Sequence, residues 1–568
     1  MNELLELWNK HTFKITAVLV APLLLAFFVS KVQAEDIEEV VIYGASVPVE
    51  KTTDPLTDTK ILTTIMPSMT WIAGGYGAST LYRERGTQSV HTTVYRNGIP
   101  ANNPGSGWYD FGHDIVSGET VKVVSGTNGV MYGSGSMGGT VLIQDIINPS
   151  ITARTGSENH KYISIAPTDW VQFTDFSVKQ EVRNDNEEYD TYKNQSAKII
   201  ADAGDFKLIV NATDYAYDYD NCYTASFSQS NDCVQDGEKF TVSIRNEYFT
   251  LGRAEEKAEY FTEDVSTYKN ESSRDYFRVG DTADISNLLQ VTYGVDGSRD
   301  KYNVHEQDNY GAFLSINAKF ALDYNFGFRV GNEDQNALRL GIAKDQFYIN
   351  FGTSYRRPNL YEQFGDSYVD GNDSLMPEEG EGYEVGFGAL SIFKYEFKES
   401  IEYTSGSMTT NIINEAVYDD SGTLILDEVT EDVYTNAMYY NAGAYDTQGV
   451  RFKNSWGPFS LTLRYTDTDQ ARISKYTGVI QWKQTIKGIQ YRVKYAGQFD
   501  RMPSIYDPIP ADQEYLDDLK KLNFYLTKKF DKFSLSFRIE NITDEEAEVL
   551  PFYNNEGREF NLAIQYNL

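Results

Sequence analysis

Most of this chain alternates. From about residue 155 to its end, apolar and polar side chains follow one another with a period of two, the spacing of a half-buried β-strand. Phe533-Ser534-Leu535-Ser536-Phe537-Arg538-Ile539 is one such run, and Phe459, Leu461, Leu463 and Tyr465 mark another. Only one stretch, Ile15 to Val29, comes near the length of about 18 apolar residues that a spanning helix requires. Lys10 and Lys14 precede it and Val32-Gln33-Ala34 follows it, so residues 1–34 read as a signal peptide cleaved near Ala34. An exported chain with no other spanning helix can be integral to a membrane only as a closed barrel, because lipid satisfies no backbone N–H or C=O.

The connections between runs come in two kinds. Gly204-Asp205, Lys344-Asp345, Gly457-Pro458, Lys487-Gly488 and Asp531-Lys532 are compact turns, whereas 214–238, 366–382 and 405–440 are long and polar. Short turns on one side and long loops on the other are the asymmetry of a Gram-negative outer-membrane barrel. The composition fits: aromatics make up 14% of the chain, yet mean hydropathy is -0.46. The formal charge of -33 excludes a nucleic-acid partner, which would need a basic footprint. The acidity reads as solvated loops, with divalent-cation binding as the sharper alternative.

Residues 61–150 are different. Short β-prone runs are punctuated by glycine at Arg85-Gly86, Asn97-Gly98-Ile99-Pro100, Gly126 and Tyr132-Gly133-Ser134-Gly135-Ser136-Met137-Gly138-Gly139. Ahead of them lies a Thr/Pro/Asp-rich linker at 45–60, and an acidic β-prone run, Ile37-Glu38-Glu39-Val40-Val41-Ile42-Tyr43, follows the signal peptide. Such a run is either an ordinary first strand or one that pairs edge-on with a partner.

In their order, these motifs resemble the plug domain of TonB-dependent outer-membrane transporters. Within the alternating region, Ser354-Tyr355-Arg356-Arg357-Pro358-Asn359-Leu360-Tyr361-Glu362, Pro377-Glu378 and Tyr383-Glu384-Val385-Gly386 are similar to the same family. The resemblance implies an all-β membrane protein: a 22-stranded antiparallel transmembrane β-barrel over 151–568, with an N-terminal plug domain (61–150) inside it. It implies a TonB box at Ile37 to Tyr43, within a 35–60 TonB-box and linker segment. It makes Arg85, Gly86, Asn97, Gly98, Gly126, Tyr132, Gly133, Gly138 and Gly139 the plug scaffold. The partners implied are TonB with its inner-membrane energising complex, outer-membrane lipid and an extracellular nutrient chelate, with the barrel monomeric. No cofactor is required. Some positions depart from the family. Asn97 replaces the usual Asp, Ser125 and Thr127 flank Gly126 in place of Arg and Pro, and Thr120 and Lys122 stand where charges of other kinds are usual. The charges that latch the plug to its barrel must therefore differ here, with Lys122 one candidate.

The plug's apical loop, 99–114, is implied to face outward and touch substrate through Asn102, Asn103, Trp108, Tyr109 and His113, with Phe111 packing the plug. Cys222 and Cys233 are the only cysteines of an exported chain and read as a disulfide. Asp214, Asp218 and Asp220 could offer oxygens to a structural Ca²⁺ in an outer loop, although their spacing is not that of an EF-hand. No arrangement of nucleophile and base rises above chance, so an enzyme is not expected. The expected function is energised uptake of a scarce nutrient chelate, with a ferric siderophore first and cobalamin or a related corrinoid second. A passive porin or adhesin is the alternative of another class.

Overall fold

The computed structural model describes residues 69–568, apart from 72–74, 115–118, 182–188, 225, 227, 333–334, 368, 415–416, 419–423, 427–428, 505–513, 546, 552 and 555–556. The stretches read as signal peptide, TonB box and linker, and residues 61–68 of the expected plug, lie outside the described residues.

Residues 150–567 form a closed antiparallel barrel of 22 spanning strands. The last, Glu559–Asn567, closes on the first, Ser150–Gly156, with Leu562 opposite Thr155 and Asn567 opposite Ser150. Closure leaves no unpaired ladder edge in the hydrocarbon. The pleat sorts the side chains. On Asp323–Gly331, Tyr324, Phe326, Phe328 and Val330 are exposed while Asn325 and Arg329 are buried. On the closing strand Phe560, Leu562, Ile564 and Tyr566 point out, and Glu559 and Asn561 point in. This is the reverse of a water-soluble protein: the apolar face meets lipid and the polar face meets the plug.

At one end the strands reverse in two or three residues, as at 204–205, 345–346, 457–458, 487–488 and 530–532. The chain enters and leaves the barrel at this end, the periplasmic one. The opposite, outer end carries the longer connections. Two of these are shorter than the sequence suggested. Asp214 and Glu238 are a register pair, so the ladder runs on to Tyr219 and resumes at Cys233, leaving 220–232 as the loop. The 366–382 insertion likewise yields to a strand at Glu378. Polar residues form strand here because the wall continues beyond the membrane, where alternation no longer needs an apolar face. The Cys222–Cys233 disulfide forms, at the base of the 220–232 loop.

Inside the barrel the plug holds a four-stranded sheet. Its strands are β1 (Thr92–Arg96), β2 (Ile99–Pro100), β3 (Glu119–Ser125) and β4 (Gly139–Asp145), in the order β2-β1-β4-β3 with β1 parallel to β4. Asn97 and Gly98 turn β1 into β2 with φ 52 and 91, the positive pair that a tight hairpin demands. One turn of helix, α1 (Gly129–Tyr132), precedes β4. A Cβ on Gly138 would stand 2.4 Å from the Thr87 hydroxyl, so glycine there lets the two segments touch. Val94, Val121, Val123, Val141 and Ile143 make the plug core, joined by Tyr82, Tyr109 and Phe111. Arg85-Gly86 ends a short helical turn, Glu84–Gly86, rather than a strand.

Replacing both cysteines with serine is expected to free the 220–232 loop and to lower stability by at most about 3 kcal/mol on the chain-entropy account. Limited proteolysis should then cut that loop faster while the circular dichroism of the barrel stays unchanged.

Candidate functional site

Four groups of buried side chains hold the plug in the barrel. The first centres on Asp145 at the end of β4. Arg96 at the end of β1 reaches it at 3.0 Å, Lys198 of the wall reaches it at 3.0 Å, and the Asn97 amide donates to its other oxygen. Asp145 N–H donates back to Asn97 Oδ1 at 3.0 Å. The second is Asp114, which accepts from the Tyr109 hydroxyl and meets Arg96 at 3.3 Å and wall Lys239 at 3.6 Å. The third is Arg85, which donates to wall Glu384 at 2.7 Å and to the Tyr395 hydroxyl at 2.5 Å. Beside it Glu84 meets wall Arg464 at 3.6 Å and accepts from Ser125 Oγ at 2.8 Å. The fourth is His91, with Nε2 2.7 Å from wall Glu378 and Nδ1 2.8 Å from the Tyr445 hydroxyl.

The charges of these plug groups follow from their surroundings. Burial by itself would raise the Asp145 carboxyl, but Arg96, Lys198 and the Asn97 amide outweigh it and hold the group far below the usual carboxylate range. Burial acts on Glu84 in the same way, and Arg464, Arg85 and two hydroxyls bring it down to about 2. Burial lowers His91 more than Glu378 raises it, so the ring is neutral at pH 7: it donates to Glu378 and accepts from Tyr445.

The departures noted in the sequence take on roles here. Asn97 in place of Asp becomes a donor to Asp145, and Ser125 in place of Arg becomes a donor to Glu84. Lys122 lies half-buried on β3, opposite Leu142. Carboxylates and cations stand on both sides of the seam. Arg96, His91, Asp114, Asp145, Lys198 and Lys239 were not singled out by sequence reasoning. Arg96 and Asp145 did carry a signal, as ionisable residues ending apolar β runs. Glu378 and Glu384 lay within the patches that carried the family resemblance.

The apical loop reaches the outer end and is gripped there. A short helix, α2 (Leu360–Phe364), follows the wall strand Phe347–Arg356 and is capped at both ends of its box by Asn359 and Glu362. Its first free N–H groups donate to the plug: Leu360 to Pro104 O at 3.1 Å and Tyr361 to Gly105 O at 3.2 Å. Asn359 Nδ2 adds a bond to Ser106 O at 3.2 Å. Arg356 joins Glu362 of α2 to Glu378, the partner of His91. One bonded path thus links the apex to the middle of the plug.

Of the expected substrate contacts, Asn102 is buried and binds plug backbone at Val94 N–H, Thr92 O and Gly107 O. Tyr109 lies in the plug core, and His113 is buried, stacked on wall Tyr215 with centroids 4.3 Å apart. Phe111 packs the core as expected. Asn103 and Trp108 are half-buried, with Asn103 donating to wall Glu256 at 2.8 Å. Of the plug-scaffold residues, Arg85 and Gly86 lie in the Glu84–Gly86 turn, Tyr132 ends α1, and the other glycines and Asn97 lie in or beside the sheet and its turns. Asp214 and Asp218 lie on one strand, about 13 Å apart at the usual rise. Asp214 is exposed, Asp218 accepts from Thr191 N–H and Asp220 is buried. Among the described residues no three His, Cys, Asp or Glu converge on a metal position. Between the apical loop and the wall lies a polar chamber of about 100 Å³, bordered by Tyr95, Asn102, Arg274, Asp296, Asp300 and Arg329. It has room for a few waters and no more.

A lipid-spanning barrel closed by an internal, ion-paired plug defines a gated outer-membrane transporter. Residues 49–140 match the family described as "TonB-dependent Receptor Plug Domain" and residues 144–542 that described as "TonB dependent receptor-like, beta-barrel". The chain belongs to the TonB-dependent receptor family and resides in the Gram-negative outer membrane. It is 23% identical over 565 residues to the vitamin B12 transporter BtuB of Photobacterium profundum, covering 88% of both chains. The BtuB of Vibrio cholerae serotype O1 is similar at 23% identity, covering 87% of both. Among solved structures, the siderophore receptor PirA from Acinetobacter baumannii shares the fold at TM-score 0.64 and 14% identity, covering 92% of this chain and 98% of that one. A ferric enterobactin receptor (PfeA) from Pseudomonas aeruginosa does so at 0.66 and 13%, covering 92% and 100%.

Asp145→Asn should take from Lys198 and Arg96 the carboxylate they share and leave Arg96 with Asp114, a loss of about 3–5 kcal/mol for a broken buried pair. Amide hydrogen exchange should show β1 and β4 opening while wall strands stay protected. Asp145 and Glu84 titrate below their unfolded values, so their stabilisation is complete above about pH 5 and fades only as pH falls toward their folded values. Exchange of the same amides should accordingly be flat from about pH 5 to 8, after correction for intrinsic rates, and rise below about pH 4.

Proposed function

We propose that this transporter takes up a large nutrient chelate against its gradient, by a cycle in which outer binding and inner release are separate steps. The ligand rests above the apical loop, through Asn103 and Trp108, while Asn102, Tyr109 and His113 hold that loop in shape. The periplasmic partner TonB, energised from the inner membrane, then pairs with the strand-forming segment Ile37 to Tyr43 and pulls. The observation that carries this reading is the seam. Four buried polar groups hold the plug to the wall, and breaking such pairs costs several kcal/mol each. Work delivered from the periplasmic side meets that cost.

Among chelates, a ferric siderophore is the first reading, and the patch at 354–386 keeps a corrinoid close behind it. Similarity to vitamin B12 transporters along most of both chains supports a corrinoid as the second reading. A structural Ca²⁺ is not required for either.

Deleting residues 37–43 should leave ligand binding at the cell surface intact and abolish accumulation in the cell. Collapsing the proton-motive force should do the same to the intact chain. Accumulation of labelled iron chelate or labelled cobalamin that persists in both cases, under conditions where this protein is the sole route, overturns energised transport and favours a passive pore.

A further inference from the structure

The outer end of the barrel's inner wall carries a continuous series of tyrosines. Tyr260, Tyr268 and Tyr302 come from three successive strands, Phe249–Thr262, Val265–Ser286 and Leu289–Tyr302. Tyr361 comes from α2 and Tyr439 from the strand Ala437–Trp456. The rings of Tyr260 and Tyr268 lie 5.7 Å apart, the hydroxyls of Tyr268 and Tyr302 are 2.8 Å apart, and Tyr361 stands edge-on to both Tyr302 and Tyr439 at 6.1 Å.

These rings face the lumen. On the same strands Glu256 holds Asn103 of the apex and Arg274 donates to Asn102 O at 3.1 Å, so side chains of that parity point inward. The series lies over the apex: a Cβ on Gly105 would stand 2.3 Å from the Tyr302 ring. Yet the series is not needed to seal the barrel, which the ion-paired seam below already does. Tyr260, Tyr268, Tyr361 and Tyr439 are half-buried, with ring area left open toward the mouth. A row of rigid rings with hydroxyl tips supplies contact area and hydrogen bonds at little entropic cost.

The charge around this row is one-sided. Among the described residues, the eleven intervals that join strands at the outer end hold 17 Asp and Glu but only 3 Lys and Arg. The ten periplasmic turns contain 5 and 2. The outer end is therefore strongly acidic. The arginines beside the row are already committed, Arg274 to Asp300 and Arg356 to Glu362 and Glu378. A polyanion approaching this mouth meets repulsion, whereas a neutral or cationic ligand does not.

We propose that the ligand is a chelate without net negative charge, seated on the rings of Tyr260, Tyr268, Tyr302, Tyr361 and Tyr439, with the hydrogen left over from the Tyr268–Tyr302 hydroxyl pair donated to an amide or hydroxamate oxygen; the Tyr361 hydroxyl is already given to Asp366 Oδ2 at 3.1 Å. This deepens the transport reading and rests on it. It selects, within the chelates, against polyanionic catecholates.

The test uses the full mature chain in detergent, with equilibrium binding of three probes: ferrioxamine B, a cationic ferric hydroxamate; cyanocobalamin, which carries no net charge; and a triply anionic ferric tris-catecholate. Binding of at least one of the first two, at least tenfold tighter than the catecholate, is expected. Tyr268→Ala with Tyr361→Ala should weaken it at least tenfold, and Tyr268→Phe with Tyr361→Phe, which keeps the rings and the fold, should weaken it less but measurably. Raising salt should narrow the gap between cationic and anionic probes. Equal or tighter binding of the catecholate, failure of both other probes to bind, or unchanged affinity in the alanine and phenylalanine pairs overturns the proposal. None of these outcomes touches energised transport, which stands or falls on residues 37–43.

Discussion

Hydrocarbon offers a backbone amide nothing to bond with, and the rest of this molecule is arranged around that fact. The ladder must close, so Glu559–Asn567 returns to Ser150–Gly156. Closure gives the wall two faces with different solvents. Apolar side chains go to the lipid, and polar ones are forced inward, among them Lys198, Lys239, Glu378, Glu384 and Arg464. The plug adds partners to those the wall supplies. Its sheet is small, and its interface to the wall is built from Asp145, Asp114, Arg85, Glu84 and His91 rather than from an oily seam. Each of these contacts is a buried ion pair or a charge-assisted hydrogen bond, so parting plug from wall costs energy until water reaches both sides.

The bonded path from apex to plug core follows from the same economy. Arg356 lies between Glu362 of α2 and Glu378 of the wall, and Glu378 also holds His91 and the Ile401 N–H. His91 O in turn accepts from the Met137 and Gly138 amides, just ahead of β4. The bonds from α2 to β1 and β4 thus run wholly through buried groups.

The barrel was legible in the sequence because alternation is local: each run of Phe533-Ser534-Leu535 type shows its own inward and outward faces. The plug sheet was legible through Asn97-Gly98 and the glycines near β4, which specify backbone shape directly. Loop lengths were misjudged at 214–238 and 366–382 because polar strands beyond the membrane look like loops when apolar alternation is the only guide. The seam was hidden for a different reason. Arg85 meets Glu384 and His91 meets Glu378 across hundreds of residues, and single positions carry no mark of such pairing. Asn97 and Ser125 could be seen to depart from the family, but not that each would become a donor to a carboxylate. Tyr109 and His113 lay in the right loop, yet alternation could not reveal that both turn inward to core and wall.

At the outer end, the hairpins at 263–264 and 303–304 reverse in two residues after strands of 14. There the wall simply stops, paired to its rim, with no length of chain to spare. The half of the mouth that carries Tyr260, Tyr268 and Tyr302 is consequently a fixed jaw. A molecule received at this surface must therefore fit the spacing of Tyr260, Tyr268 and Tyr302 that the paired strands set, because the chain between them has no slack with which to adapt.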